Sequence, residues 1–376
     1  MSEFLLKRKR RINCPLRGQI ASMAKRFIVT NEPRKYLQCC IWRVCWRATA
    51  ACLNSVSRTW AALSVGLVLA VALGAMARGE DYPSRVITLI APSGPGSTPD
   101  VLARILAHKL SEQLGKQVVV LNRVGAGTDI GTASVAHAEP DGYTLLLGSI
   151  ANTLNPHIKT SVGYKLNDLA PISSVAATAD VLVVHPSTNI STVQELIAFL
   201  KSNPGTPAGH GGIGTAPHLS LELFRRMSGI EITPVPFKGG GEALQGVLAE
   251  QVFFIFNTSV SVLPLVRGGQ LRALAASSAK RISASPEIPT LAESGLPGFD
   301  IVAWFGLFAP AQTPKSIINR LSEETRKALA APDTRKLLAD VGAEPLGSTP
   351  EAFSAYVKEE FERWGKLSKE LDIHVE

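Results

Sequence analysis

The chain has 376 residues, 19% of them charged, and its 39 Lys and Arg against 31 Asp and Glu give a net charge of +8. That length suggests two domains, and the net charge taken alone would admit a nucleic-acid partner. The location of the charge excludes one: residues 1–77 hold 13 of the 39 basic and 2 of the 31 acidic side chains, so the remainder carries 26 against 29 and is net −3.

The leader ends in an uncharged run of 17 residues, Ala61 to Ala77, with Arg58 just before it and Ala75-Met76-Ala77 at its end. A basic flank, a short apolar core and a small-x-small end are the pattern of a secretory signal peptide. The run falls short of the roughly 20 apolar residues of a membrane span, so cleavage near Ala77 and export are expected. The 57 residues before Arg58 exceed a normal basic region; the expectation is a true start downstream, with much of 1–55 never translated. All five cysteines precede residue 53. The body, 78–376, therefore has no disulfide, thiolate metal site or Cys nucleophile.

Along the body, short apolar runs alternate with helical spacing. Residues 85–92, 117–122 and 143–149 read as strands, and 98–114 and 125–138 as helices. Next come a strand at 180–186, a helix at 191–203 with Ser191 as its cap, and a helix at 216–228. Strands at 232–237, 251–257 and 271–278 and a helix at 240–249 complete a second set. A strand at 304–310 precedes helices at 314–330, 333–341 and 350–371. Pro314, Pro332 and Pro350 sit near helix starts, where the missing N–H costs nothing. This alternation predicts α/β architecture with parallel sheets covered on both faces. The late strand and helical tail predict a return to the first domain: 78–180 plus 302–376 as one lobe, 181–301 as the other, and a hinge between.

Enzyme motifs are missing. There is no H-E-x-x-H, G-x-S-x-G or G-x-x-x-x-G-K-[ST], and no two of the seven histidines have metal-ligand spacing. No cofactor, metal or catalytic residue is expected. One loop, Gly125 to Gly131, follows a strand and opens a helix, so a nucleotide-dependent oxidoreductase is the alternative function. No acid at the end of the next strand is placed to hold a ribose, which favours a plain tight turn. A transcription regulator would need a helix-turn-helix within 1–60, and the export-like run argues against it.

Two other loops share a pattern. Gly94-x-Gly96-Ser97-x-Pro99 and Gly212-x-Gly214-Thr215-x-Pro217 each open a helix. A helix start carries unpartnered N–H groups and partial positive charge, and small residues let an anion reach them. From opposite lobes, two such loops would grip one anion as a hinge closes. The same residues also serve ordinary helix starts, Ser97 with Asp100 as a capping box and Thr98 before Pro99 as a cap. Spacing alone leaves both readings open.

As an ordered set, "YPSRVITLIAP", "LNRVGAGTDIGTASVAHAEPDGYTLLLGS", "GGIGTAPHLSLELF", "VPFKGGGEALQGVLAEQV", "GGQLRALAASSAKR", "PEIPTLAESGLPGF" and "WFGLFAPAQTP" resemble the receptor component of tripartite tricarboxylate transporters, the Bug-type solute-binding proteins. The resemblance spans roughly 82–371. It implies a two-lobed periplasmic-binding-protein fold (Venus-flytrap, type II) with two mainly parallel sheets and a hinge, and no enzymatic activity. It further implies a small carboxylate ligand, either di- or tricarboxylate, amino acid or aromatic acid, held by backbone groups and water. The expected ligand-binding residues are Ser93, Gly94, Gly96, Ser97, Thr98, Asp100, Ser149, Asn152, Gly212, Gly214, Thr215, Ala216, His218 and Trp304. Expected partners are membrane subunits of the tripartite type or a sensor, with the receptor itself a monomer. The chain departs from the family pattern at Gly94 and Ser97, at His210 for serine, and at Phe253 for an acid. His210 either adds a donor near the ligand or points to solvent, and Trp304 and Phe305 either line the cleft or pack at the hinge.

Overall fold

The computed structural model describes residues 82–370. The leader, its cleavage near Ala77 and the start expected downstream of residue 55 lie outside the described residues. Among the described residues, no helix is long and apolar enough to cross a membrane.

Three strand–helix units open the fold. β1 (Ile87–Ala91) leads to α1 (Thr98–Leu114), β2 (Val118–Asn122) to α2 (Asp129–Ala136), and β3 (Thr144–Ser149) to α3 (Ala151–Ile158). The run Ile87–Ala91 is almost wholly buried, as its unbroken apolar character requires of a strand covered on both faces. α1 starts from extended Ser97 with a proline in its first turn and stops at Gly115, whose φ of 64° suits glycine. β2 and β3 flank β1 in parallel.

β4 (Leu169–Val184) is the axis of the molecule. Its 16 residues change partners midway. Leu169–Ala179 pairs antiparallel with β9 (Val302–Pro310). Asp180–Val184 pairs antiparallel with β7 (Phe254–Thr258), and its other edge with β8 (Arg272–Ala276). The second set then repeats the first: α4 (Val193–Ser202), β5 (Thr206–His210), α5 (Ala216–Ser228), β6 (Ile232–Pro236), α6 (Gly240–Leu248), β7 and α7 (Ser259–Arg267). β5 lies parallel between β6 and β7. The hydrogen-bonded order is β2-β1-β3-β9-β4-β7-β5-β6. The expectation of mainly parallel sheets therefore holds for the outer strands and is corrected at the centre, where β4 and β9 pair antiparallel with every neighbour.

After β9 come α8 (Lys315–Ala330), α9 (Pro332–Asp340), β10 (Ala343–Pro345), which pairs with the first half of β4, and α10 (Pro350–Glu370). α8 packs on α1, and α10 on α3 and β4. Aromatic rings fasten α10 to β9. Trp304 and Phe308 pack against Phe353, and a side chain on Gly306 would collide with that ring. The buried Glu360 carboxylate accepts the indole N–H of Trp304 at 3.0 Å and that of Trp364 at 2.9 Å. Burying one such large side chain contributes about 2–3 kcal/mol.

Two local expectations are corrected. α4 is capped by Thr192 and not by Ser191: Thr192 Oγ1 accepts the Glu195 N–H at 3.1 Å, and Glu195 Oε2 accepts the Thr192 N–H at 3.3 Å. β4 begins eleven residues before the strand expected at 180, because β9 and β10 supply ladder partners to a segment whose apolar residues are interrupted by Pro171, Ser173, Ser174 and Thr178.

Candidate ligand-binding site

A cavity lies where the carboxyl ends of the two parallel sets face each other. Six helices begin on it. Ser97, Thr98 and Pro99 of α1, Thr128 before α2, and Ser149 and Ile150 before α3 line one side. Thr215, Ala216 and Pro217 of α5, Gly239 and Gly240 of α6, and Thr258 before α7 line the other. Ligands in open α/β sheets bind outside such strand ends. At none of these six starts, all among the described residues, does the cap side chain accept a first-turn N–H. α4, which does not reach the cavity, carries a complete capping box. At α3 the neighbouring Ser149 hydroxyl accepts the Ala151 N–H at 3.4 Å; the cavity otherwise receives six partial positive charges and N–H groups without side-chain caps, which is the chemistry of an anion site.

The first loop is held rigid from behind. The Ser97 hydroxyl donates to the Gly94 carbonyl at 2.6 Å and also meets the Ser93 hydroxyl. Asp100 Oδ2 accepts the Gly96 N–H at 3.0 Å, Asp100 Oδ1 accepts Asn122 Nδ2 at 2.9 Å, and Arg104 pairs with it at 2.8 Å. Burial pushes the Asp100 carboxyl up, but these donors outweigh it and hold it below the ordinary range. Asp100 therefore shapes the loop and does not line the cavity. Gly94 and Gly96 also sit outside the lining, whereas Ser93, Ser97 and Thr98 belong to it. Thr98 reaches across to the Thr258 hydroxyl, and the Ser261 hydroxyl donates to the Gly96 carbonyl at 3.3 Å.

The second loop is built on a buried histidine pair. The rings of His210 and His218 lie 4.6 Å apart, and both residues are buried. His218 Nδ1 accepts the Gly214 N–H at 3.3 Å. Burial pushes both imidazoles down to about 4, His210 further opposed by His218 and His218 by Lys159. Neutral rings bring no charge to the cavity, and neither residue lines it. His210 does not point to solvent. Gly211, Thr215 and Ala216 line the cavity; Gly212 and Gly214 lie outside it, and an added side chain at Gly214 would strike Asn155.

Of the remaining expected residues, Ser149 lines the cavity and Asn152 supports it from behind. Asn152 Oδ1 accepts the Ser149 N–H at 2.7 Å while its Nδ2 donates to Thr132 at 2.9 Å. Trp304 is displaced from its expected place. Side chains alternate along a strand, so Ala303 and Phe305 of β9 face the cavity and Trp304 faces α10.

Sequence reasoning overlooked a third glycine loop, Gly239-Gly240-Gly241, with Lys238 before it. Lys238, Gly239, Gly240 and Asn257 all line the cavity. A glycine triplet opening a helix was the available signal. The Gly125–Gly131 loop has another purpose than a dinucleotide: its glycines let protein approach protein. A side chain at Gly127 would collide with the Ile213 carbonyl of the second loop, and one at Gly131 would sit 2.8 Å from the Arg123 carbonyl.

The fold and site define a two-lobed α/β solute-binding protein of the periplasmic-binding type. Residues 102–373 match the tripartite tricarboxylate transporter family receptor, and the chain belongs to that family. It is 37% identical over 311 residues to protein BugT of Bordetella pertussis, covering 81% of this chain and 95% of BugT. Among solved structures, Rpa4515 of R. palustris with adipate superimposes with a TM-score of 0.76 at 34% identity, covering 78% of this chain and 99% of that one. MatC of Rhodopseudomonas palustris with bound malate gives 0.71 at 30% identity, covering 76% and 99%.

Proposed function

We propose that this chain is an exported receptor that captures a small carboxylate between two lobes, 78–180 with 302–376 and 181–301, and presents it to membrane subunits of the tripartite type or to a sensor. It acts as a monomer in the periplasm after cleavage near Ala77, and it catalyses no reaction. The observation that carries the reading is the meeting of six helix starts on one cavity, three from each side of the β4 partner change. Adipate and malate, named with two similar structures, are both carboxylates. β4 and β9 are the natural hinge, since both pass from one set of strands toward the other. The carboxylate end of the ligand sits on the backbone N–H groups of Thr98, Ala216, Gly239 and Gly240.

The test is a thermal-shift screen of residues 78–376 with mono-, di- and tricarboxylates, amino acids and aromatic acids. A ligand at 100 times its dissociation constant adds about 2.7 kcal/mol of stability. A rise in Tm with carboxylates and none with their methyl esters is expected. No rise with any anion would sink the reading.

A further inference from the structure

We propose that the open edge of β8 is a docking groove for a partner protein, taking an extended segment that carries an acidic side chain. This inference does not rest on the anion-site reading above. A second cavity, of about 580 Å³, is lined by residues between Pro186 and Ser294 and shares none of them with the first. Arg272, Ala273 and Leu274 of β8 form part of its wall. Val193 and Leu274 on that wall belong to the larger apolar core, and Leu271 and Ile288 to the smaller one. Along β4, Leu182 and Val184 enter the larger core and Val181 and Val183 the smaller, so the two cores lie on opposite faces of the sheet. A cavity that touches both runs across the edge of the sheet.

That edge is unpaired. Among the described residues, β4 is the one strand that pairs with β8. On the outer side of β8, Ala276 is engaged: its N–H donates to the Pro289 carbonyl at 2.8 Å and its carbonyl accepts the Leu291 N–H at 2.9 Å. Residues 272–275 have no ladder partner there among the described residues, over roughly 13 Å at about 3.3 Å per residue. Proteins usually blunt such edges. β6, at the end of the sheet, carries Pro234 and Pro236, whereas β8 has no proline and is rich in small alanine. An extended chain is what a strand edge recognises, through backbone hydrogen bonds. Arg272 adds the choice of side chain. It is half-buried, and its Nη1 donates to the Ile190 carbonyl at 3.0 Å and to Ser191 Oγ at 3.2 Å, which sets the guanidinium beside Ser191 on the cavity wall. Its Nε and Nη2 have no partner among the described residues, and Glu287, the other charged residue of the lining, forms no ion pair with it. A guanidinium with a free face binds a carboxylate through two parallel N–H bonds.

The test is selection of hexapeptides from a displayed random library on the purified protein, followed by titration calorimetry of those selected. Peptides with alternating apolar residues and one Asp or Glu are expected. Arg272→Gln should weaken them about tenfold, and the same peptides with Asn or Gln in place of the acid should bind wild type and that variant alike. N-methylation of every second peptide residue should abolish binding in one register and be tolerated in the other, because successive residues of a strand turn their N–H groups to opposite edges. Ala273→Lys, which puts a charge on the edge, should block the peptides and leave carboxylate binding in the first cavity unchanged. Selection of no peptide would overturn the proposal. So would peptides that bind wild type, Arg272→Gln and Ala273→Lys equally, or peptides indifferent to the register of N-methylation. Self-association of the protein that Ala273→Lys abolishes would put a second copy on the edge and overturn it as well.

Discussion

Gly127 touches Ile213: a β-carbon on Gly127 would collide with the Ile213 carbonyl oxygen. The two residues belong to loops on opposite sides of the cavity, and Gly127 has a φ of 57° that favours glycine. One glycine loop therefore exists to let the other come close. Gly127→Ala should hold the loops apart and weaken carboxylate binding at least tenfold, measured by titration calorimetry. Gly115→Ala carries the same kind of backbone strain, at φ 64° with open space around it. It is expected to lose about 1–2 kcal/mol of stability and no affinity, which separates strain from closure.

Gly239 offers the opposite experiment. Its φ of 172° is extended backbone that any residue adopts, and a β-carbon there would meet the Gly94 nitrogen at 3.6 Å and the Ser93 β-carbon at 4.0 Å. Gly239→Leu should fold normally and fill the space between the first and third loops. Loss of the ligand-induced rise in Tm with an unchanged unliganded Tm is the expected result. Retained binding would remove residues 239–240 from the site.

Glu360 and Trp304 separate stability from binding. Glu360→Leu leaves two buried indole N–H groups without an acceptor, at a cost of about 1–3 kcal/mol for each orphaned donor. Chemical denaturation should show that loss. Ligand affinity should stay within twofold, since Trp304 faces α10.

The histidine pair predicts a pH dependence. Both imidazoles are pushed from 6.5 to about 4 in the folded protein. Below about 6.5 the unfolded chain takes up protons that the folded chain refuses, so this contribution to stability falls as pH drops toward about 4. The fall amounts to about 1.4 kcal/mol per pH unit for each imidazole held neutral. His210→Phe removes a buried ring nitrogen that has no partner among the described residues and should flatten that fall in urea titrations taken from pH 7 to 4.

Asp180 works in the other direction. It is fully buried where β4 changes partners, its Oδ2 accepts the Ser220 hydroxyl at 2.7 Å, and burial raises its carboxyl from 3.8 to about 7 against that bond. A raised carboxyl stabilises the fold fully below about 3.8 and loses that contribution as pH climbs to about 7. Asp180→Asn should therefore be more stable than wild type by a few kcal/mol at pH 8 and equal to it near pH 4. No gain at pH 8 would refute the burial argument.

Much of this molecule was legible in its residues alone. The apolar runs at 85–92, 117–122 and 143–149 and the glycine loops at 94–99 and 212–217 follow local rules of period and helix start, and each of these runs and loops is found in the fold. The local rules failed where partners are distant. The stretch "LAPISSVAATA" lacks an apolar pattern and contains Pro171, yet it is strand because β9 and β10 pair with it. Helices α3 and α7 carry Pro156 and Pro264 inside them, and neither is among the helices expected from the sequence. Thr206–His210 is a strand only because β6 and β7 lie beside it.

The site divides in the same way. The residues by themselves determined that glycine loops open helices, that the body is cysteine-free, and that its charge is slightly negative; these depend on near neighbours or on composition. Only the tertiary structure decided that six helix starts converge, that Lys238 stands among them, that Trp304 turns away while Ala303 and Phe305 turn in, and that Gly127 belongs to Ile213. Those outcomes depend on pairing register and on contacts between segments far apart in the chain, and short-range periodicity carries no information about either.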